Sequence, residues 1–287
     1  MYADFDLIIP ETLDAALAAL AEGNGETRAL AGGTNMIVDL RARRAKPARL
    51  VGLGKIEALR GIRIADGRVT LGARTTMSEI LHHPGLAEHA PSLVAQARVF
   101  GGQMVRNAAT LAGNICSGSP AADAVPPLLA RDAEVTLASP GGTRVVPLHR
   151  FFLGYKKDAR APDELMTEIA WNLPQAPSAE LFYKLARRKG DAITVVGVAV
   201  VLDVENGVCS RARVALGAVA PVVKRATAAE ALLTGQALTP ALIEAAAQRA
   251  VQEIDPIDDI RASAGYRRHT VHALTRRLVT QAWDRLG

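Results

Sequence analysis

The hydrophobic positions of the first forty residues follow a helical period, then a strand, and then break at glycine. Three leucines on one helix face, behind a threonine cap candidate, predict an amphipathic helix over residues 12–21. An apolar segment at residues 28–31 is a strand candidate that ends in Gly32 and Gly33, and an apolar pattern resumes over residues 36–40. The glycine pair is therefore expected to form a tight turn between two ordered elements.

Alternating apolar positions further along the chain predict strands that are joined by short turns. Residues 62–64 and 69–71 flank an Asp-Gly pair, which is a strong hairpin signal. Residues 134–138 and 144–148 flank a Pro-Gly-Gly turn in the same way. These patterns predict two β-hairpins in the first half of the chain.

Between the two hairpins the pattern changes from strand to helix and then loses its period. Residues 76–82 and 92–100 have helical spacing. Residues 101–127 are rich in glycine, serine and proline and show little periodicity. A long loop inside a compact domain is usually functional or mobile, so this segment is the first candidate for a site.

The C-terminal part is predicted to begin after two closely spaced prolines at residues 174–177. Long apolar strands follow at residues 195–204 and 211–219, and a Thr-Pro pair at residues 239–240 opens a helix. A last helix, with an apolar stripe, is predicted from about residue 262. Strands followed by helices indicate an α+β layout, with domains at residues 1–176 and 177–287.

Charge and aromatic content narrow the possible functions. The formal net charge is +5, and only 4% of the residues are aromatic, which disfavours a nucleic-acid function that relies on base stacking. The densest basic run lies at residues 41–49. Such a run is either a solvated face or a surface for an anionic partner, and the sequence leaves both open.

Cysteine usage and the apolar runs bear on the compartment. Cys116 and Cys209 are the two cysteines, which are too few for a four-thiolate cluster or a disulfide framework. The N-terminus is not typical of a secretory signal, and no apolar run approaches the roughly 18 residues of a membrane span. A reducing cytoplasm is the expected location.

The common nucleotide and hydrolase signatures do not occur. Gly52-Leu53-Gly54 would need a further glycine at Glu57 to complete the dinucleotide fingerprint, and there is no phosphate-binding loop or nucleophile elbow. The six histidines form no evident metal-ligand set. A different kind of site is therefore expected.

Two glycine turns remain as candidate anion sites. In Ala31-Gly32-Gly33-Thr34-Asn35 and Thr110-Leu111-Ala112-Gly113-Asn114, glycine lets main-chain N–H groups approach an anion closely, and threonine and asparagine add neutral donors. This arrangement can hold a pyrophosphate without a lysine. Either turn by itself is weak evidence for such a site, because glycine and asparagine are the commonest residues of plain structural turns.

Four motifs occur in a fixed order, and together they are far more specific than any one of them. They are Ala31-Gly32-Gly33-Thr34-Asn35, Thr110-Leu111-Ala112-Gly113-Asn114-Ile115, Ser119-Pro120-Ala121-Ala122-Asp123 and Phe182-Tyr183-Lys184-x-x-Arg187-Arg188-x-Gly190-Asp191. Their order and spacing resemble the FAD-binding medium subunit of molybdenum hydroxylases, the xanthine dehydrogenase and carbon monoxide dehydrogenase family. The resemblance covers essentially the whole chain, including the final Tyr266-Arg267-Arg268 segment.

The resemblance implies a fold and a cofactor. The fold is a two-lobed FAD-binding domain of the vanillyl-alcohol-oxidase-like (PCMH-type) kind, with lobes at residues 1–55 and 56–176, followed by a smaller C-terminal domain with an antiparallel sheet and helices. By the same resemblance both glycine turns wrap the FAD pyrophosphate, Ser117 and Asp123 contact the ribityl and adenosine portion, and Phe100 is an aromatic contact. Met166 and Lys184 lie near the isoalloxazine ring. The matching residues are Leu30, Ala31, Gly32, Gly33, Thr34, Asn35, Met36, Phe100, Thr110, Gly113, Asn114, Ser117, Asp123, Met166 and Lys184.

The resemblance also implies a role and partners. The role is electron transfer from a small [2Fe–2S] subunit to an external acceptor, with molybdopterin in a large third subunit, in a dimer of heterotrimers. Two positions depart from the family pattern: Ala112 replaces a frequent glycine, and Ala192 stands where some relatives have an aromatic residue over the flavin. A standalone flavin oxidoreductase and a basic, non-catalytic adaptor remain as alternatives.

Overall fold

The computed structural model describes residues 4–23 and 25–286. Its buried hydrophobic side chains form two clusters. The first is built mainly from residues 16–171, and the second lies within residues 179–282. Ala199, Val201 and Ala215 of the C-terminal sheet belong to the first cluster, so the two halves of the chain share a packed interface.

The N-terminal elements form a small parallel sheet between helices. They are β1 (Asp6–Ile8), α1 (Leu13–Glu22), β2 (Thr27–Leu30), α2 (Met36–Arg41) and β3 (Arg49–Gly52). The strand order is β1-β3-β2. The predicted first helix is confirmed, and the Thr12 hydroxyl caps it by accepting a hydrogen bond from the Ala15 amide at 3.2 Å. The first glycine turn therefore lies at the carboxyl end of β2, where open α/β sheets usually bind ligands.

A five-stranded antiparallel sheet with short helices follows. After a 3₁₀ turn at Glu57–Leu59, the elements are β4 (Ile62–Ala65), β5 (Arg68–Gly72), α3 (Met77–His82), α4 (Pro84–His89), α5 (Pro91–Arg98), α6 (Gln103–Ala108), α7 (Leu111–Cys116), α8 (Val125–Ala130), β6 (Glu134–Ser139), β7 (Gly142–Pro147), α9 (Leu148–Phe151), β8 (Phe152–Gly154), β9 (Lys157–Asp158) and β10 (Leu165–Asn172). The sheet order is β4-β5-β10-β6-β7, and both predicted hairpins are confirmed. Asp66 and Gly67 both have positive φ, as a tight hairpin turn requires.

Two features of this part differ from the sequence prediction. The segment 101–127 is not a structureless loop, because it contains α6, α7 and the start of α8. Each of these helices has six residues, which is too short to display a helical period. Strand β10, the centre of the sheet, was not predicted, and its register shifts between Met166 and Glu168. That irregularity interrupts the alternation by which a strand is recognised.

The C-terminal part is an antiparallel sheet covered by helices. Its elements are β11 (Ser178–Ala186), β12 (Thr194–Glu205), β13 (Val208–Gly217), β14 (Lys224–Arg225), α10 (Thr227–Leu233), α11 (Pro240–Gln252) and α12 (Ala264–Asp284). The sheet order is β11-β12-β13-β14. Strand β12 is buried on both faces, since Val198 and Val200 face the helices while Ala199 and Val201 face the first cluster. This explains why residues 195–204 read as a continuous apolar run.

Candidate functional site

The first glycine turn presents a row of unpaired main-chain N–H groups. Gly33 has φ of +72°, and its carbonyl accepts a hydrogen bond from the Ile37 amide at 2.9 Å as α2 begins. Within residues 4–23 and 25–286, no group accepts a hydrogen bond from the amides of residues 32–36. Five consecutive free donors form a site that an anion can occupy.

The two predicted turns lie against each other. A Cβ atom on Gly32 would be 1.7 Å from the carbonyl oxygen of Ala108, which lies two residues before the second turn. No side chain fits at that distance, so the close approach of the two backbones requires glycine. The structure thus brings together two motifs that are about 80 residues apart in the sequence.

The second turn differs from expectation because its amides are already used. Thr110 caps α7, and its hydroxyl accepts a hydrogen bond from the Gly113 amide at 3.1 Å. The other three amides of residues 111–114 donate to the carbonyls of Thr75, Ala73 and Thr110. The amides of residues 111–114 are therefore all hydrogen-bonded within the chain, whereas those of residues 32–36 in the first turn are free.

Asn114 and Ser117 shape the segment after the second turn. The side-chain oxygen of Asn114 accepts a hydrogen bond from the Ala124 amide at 3.1 Å, which ties α7 to the start of α8. The Ser117 hydroxyl donates to the Asn114 carbonyl at 2.7 Å. Ala112 buries its methyl group in the first core cluster and so does not crowd the turn.

Asp123 and Lys184, which the resemblance assigned to different parts of the cofactor, form one buried ion pair. The Lys184 Nζ atom lies 2.6 Å from Asp123 Oδ2, and the two side chains are 4% and 8% exposed. The Thr194 hydroxyl donates to the other carboxylate oxygen of Asp123. Burial raises the pKa of Asp123, and Lys184 and Thr194 oppose that rise.

Replacing Lys184 with methionine is expected to make stability depend on pH. Without its counter-ion, the pKa of the buried Asp123 rises further, and the folded protein retains a proton that the unfolded chain releases. Stability is then present below the ordinary carboxyl pKa and is lost as the pH rises through the raised pKa, by up to about 1.4 kcal/mol per pH unit.

Urea unfolding across the acidic to neutral range measures this dependence. The matched control is the double variant Asp123→Asn/Lys184→Met, which has no carboxyl group to titrate and should lack the additional slope. Equal slopes for the single and double variants would contradict the assignment of the proton to Asp123.

Phe100 and Met166, two further residues of the predicted site, are associated with the first core cluster. Phe100 is partly buried against the first core cluster, and its carbonyl accepts a hydrogen bond from Arg106 Nη1 at 3.0 Å. Met166 lies in β10 and is 1% exposed, so its assigned contact with a flavin ring stays a prediction. The remaining predicted residues belong to the first turn. Thr34, Asn35 and Met36 carry three of the free amides, and Leu30 and Ala31 come directly before the first of them.

Sequence reasoning missed two buried arginines, one that joins the two halves of the chain and one that lies within the C-terminal half. Arg131, at the end of α8, forms an ion pair with Glu180 of β11, and both side chains are less than a tenth exposed. Arg267 of α12 is 1% exposed and donates to the carbonyls of Val195 and Ala218 and to Asp259. An arginine within a helix gives no sequence signal that separates burial from exposure, apart from the family resemblance of residues 266–268.

Among residues 4–23 and 25–286, no three histidine, cysteine, aspartate or glutamate side chains are grouped as metal ligands. No helix in the same ranges is long and apolar enough to cross a membrane.

Comparison with known proteins places both halves of the chain. Residues 3–175 match the family described as FAD binding domain in molybdopterin dehydrogenase, and residues 181–282 match the CO dehydrogenase flavoprotein C-terminal domain. The putative xanthine dehydrogenase FAD-binding subunit of Escherichia coli K12 is 32% identical over 275 residues, which cover 94% of this chain and 93% of that protein. The nicotinate dehydrogenase FAD-subunit of Eubacterium barkeri is 32% identical over 288 residues, covering 99% and 97%.

A solved structure agrees with the sequence matches. In carbon monoxide dehydrogenase from Hydrogenophaga pseudoflava, in a form that lacks the Mo-pyranopterin moiety, one chain superposes with a TM-score of 0.96 at 32% identity. The match covers 100% of both chains. The predicted α+β, FAD-binding fold is thereby confirmed.

Fold, turns and matches together define an FAD-binding α+β subunit of an oxidoreductase. More narrowly, the chain belongs to the family of FAD-binding medium subunits of molybdenum hydroxylases.

Proposed function

We propose that this chain carries FAD as the electron-transfer subunit of a molybdenum hydroxylase complex, taking electrons from a [2Fe–2S] partner subunit and passing them to an external acceptor. The observation that carries the proposal is the row of five free amides at residues 32–36, set directly against the second turn in a chain of this family. A doubly charged pyrophosphate satisfies such donors.

The two glycine turns border the proposed flavin crevice, and their polar groups are of the types that bind FAD. The first turn supplies main-chain donors, Thr110 and Asn114 border it, and Gly113 leaves room for the Thr110 cap, since a Cβ there would lie 2.8 Å from the Thr110 hydroxyl oxygen. Bound FAD supplies two-electron chemistry, while the protein supplies orientation and electrostatics. The roles of Phe100, Ser117, Asp123, Met166 and Lys184 toward FAD belong to this proposal.

The ion pair with Asp123 alters the electrostatic effect that Lys184 can have on a flavin ring. A lone lysine beside an isoalloxazine would favour negative charge on the ring, but here a carboxylate lies 2.6 Å from the ammonium group. The pair is therefore formally neutral, and its effect depends on which member faces the cofactor. Thr194 holds the carboxylate through its other oxygen and so fixes the orientation of the pair.

The thiols of this chain do not favour an iron–sulfur relay within it. Cys116 and Cys209 lie in different core regions, and burial raises the pKa of Cys209 to about 11, which opposes the thiolate form that metals require. Electrons would thus enter from a cluster on another subunit.

The assembly is part of the same proposal. A small iron–sulfur subunit and a large molybdenum subunit would complete a heterotrimer, which would pair into a dimer of heterotrimers in the cytoplasm. Several relatives are named as medium chains or medium subunits, which supports a multi-subunit complex. The domain division at residues 1–176 and 177–287, with lobes meeting near residue 56, is retained here as well.

Purification of the chain with its partners, followed by analysis of FAD, iron and molybdenum, tests the function. We expect about one FAD per chain, with iron and molybdenum present only when the partners co-purify. Turnover of an organic donor by the isolated yellow chain would favour the standalone flavin oxidoreductase instead. Colourless protein that never acquires FAD would favour the basic adaptor.

A further inference from the structure

Three buried side chains carry polar atoms that have no hydrogen-bond partner in the protein. Gln96 on α5 is fully buried, and neither its Oε1 nor its Nε2 atom has a partner among residues 4–23 and 25–286. In the same ranges, Trp171 Nε1 on β10 and Arg131 Nε at the end of α8 are also without a partner. Buried polar groups of folded proteins are nearly always hydrogen-bonded, either to the chain or to ordered water.

Contacts bring these side chains around one buried ion pair, Arg131–Glu180. The Arg131 guanidinium group lies over the Trp171 ring, 5.1 Å from its centroid. Glu180 accepts a hydrogen bond from the Ser92 hydroxyl at 2.9 Å. Ser92 lies one turn before Gln96 on α5, so the two residues share a face, and a helical side chain leans back toward the preceding turn. The Gln96 amide is therefore directed toward the ion pair.

This group of side chains lies at the junction between the two halves of the chain. Gln96, Arg131 and Trp171 belong to the N-terminal half, and Glu180 belongs to β11 of the C-terminal half. The Arg131 and Glu180 side chains are only 3% and 7% exposed. A ligand that satisfies the unpartnered atoms must therefore be small and internal.

The balance of donors and acceptors selects the ligand. Arg131 Nε and Trp171 Nε1 can only donate, whereas the Gln96 amide offers an oxygen that only accepts and an NH₂ group that donates. A water molecule accepts from two donors and donates to two acceptors, so it can serve all three side chains. Chloride would satisfy the donors and leave the Gln96 oxygen without a partner. Glu180 already balances the charge of Arg131, so the site needs no additional anion.

We infer that Gln96, Arg131 and Trp171 form an internal binding site for water, which links α5, α8 and β10 around Glu180 of β11. The inference goes beyond the proposed function, because the site requires no cofactor. Bound water makes the Gln96 amide a stabilising group at the junction of the two halves. Without that water the same amide is a buried polar group with no partner, which destabilises a folded protein. The two cases predict opposite effects of removing the amide.

Gln96→Met tests the sign of the effect, because methionine is unbranched, has a similar volume and lacks the amide. Urea unfolding compares the variant with the wild type at equal FAD content. The unfolding equilibrium constant is expected to rise about fivefold to tenfold, which is the usual range for loss of a buried hydrogen-bonded group. A Gln96→Met protein that is as stable as the wild type, or more stable, would overturn the inference.

Gln248→Met is the matched control for Gln96→Met. Gln248 is an exposed residue of α11 whose amide donates to Glu244 within the same helix. The control therefore makes the same substitution in a helix that water already surrounds, and its unfolding should match the wild type. An equal loss of stability in both variants would attribute the effect to helix propensity and contradict the internal site.

A crystal structure of the wild-type chain gives a second readout, which stands even if Gln96→Met fails to fold. We expect an ordered water within hydrogen-bond distance of the Gln96 amide and of Arg131 Nε or Trp171 Nε1. A Gln96 amide bonded only to protein atoms would contradict the site. Anomalous signal at the same place in crystals soaked with bromide would show an anion site instead, and would equally overturn the assignment to water.

Discussion

Gly33→Val protein is expected to purify folded but colourless, with FAD below about a tenth of the wild-type content. Space does not limit this position, because the nearest atoms to a Cβ there are side-chain carbons of Ile37 and Leu30 at 3.4 and 3.6 Å. The backbone does, since φ of +72° is strained for valine by roughly 1–3 kcal/mol. Relaxation of φ turns the free amides of the first turn away from a pyrophosphate.

Gly67→Val is the control for Gly33→Val. Gly67 has φ of +69° in the turn between β4 and β5, with no atom within 4 Å of a Cβ. The substitution therefore introduces the same kind of strain away from the crevice, and this variant should remain yellow. Flavin absorbance per chain after gel filtration gives the result, and full FAD content in Gly33→Val would refute the assignment of the first turn.

Glu180→Leu is expected to lower the free energy of unfolding by about 3–5 kcal/mol, the usual cost of leaving a buried charge without its partner. The substitution leaves Arg131, whose side chain is 3% exposed, without its counter-ion. The remaining neighbours of its guanidinium group are the His89 carbonyl and the Trp171 ring. It also removes the carboxylate that accepts a hydrogen bond from the Ser92 hydroxyl at 2.9 Å. Urea unfolding measures the loss.

Two further variants separate the buried pair from salt bridges in general. Arg131→Met/Glu180→Leu removes both charges and should recover most of the stability, because apolar replacement of a buried pair is often neutral. Glu11→Leu breaks the exposed pair with Lys55 and should leave unfolding unchanged. If Glu180→Leu unfolded like the wild type, the pair would not hold α8 to β11.

The sequence predicted the local elements well where a single face is buried or a turn has special chemistry. The α1 helix, the two hairpins with their glycine turns, and strands β12 and β13 were all predicted, because their periods and turn residues are local properties. The short helices α6, α7 and α8 were not, since six residues are too few to display a period. Strand β10 was hidden by its bulge.

The candidate site, like the fold, was predictable from the sequence only in part. The glycine turns and their order were visible in the sequence, but their roles came from the family resemblance, because two glycine turns alone also fit plain structural turns. The amides of residues 111–114 already donate hydrogen bonds within the chain, and two of the acceptors are the carbonyls of Thr75 and Ala73. No sequence motif identifies these two residues. The pairing of Asp123 with Lys184 and Thr194 joins the turn before α8 to β11 and β12.

By itself, then, the sequence determined the helices, the hairpins, the glycine at each tight turn and the family, because these follow from spacing and residue type along the chain. Only the tertiary structure decided which amides remain free, which charges are neutralised, and which hydrophobic side chains stay exposed. Those properties depend on groups that are distant in sequence and meet only in the folded chain.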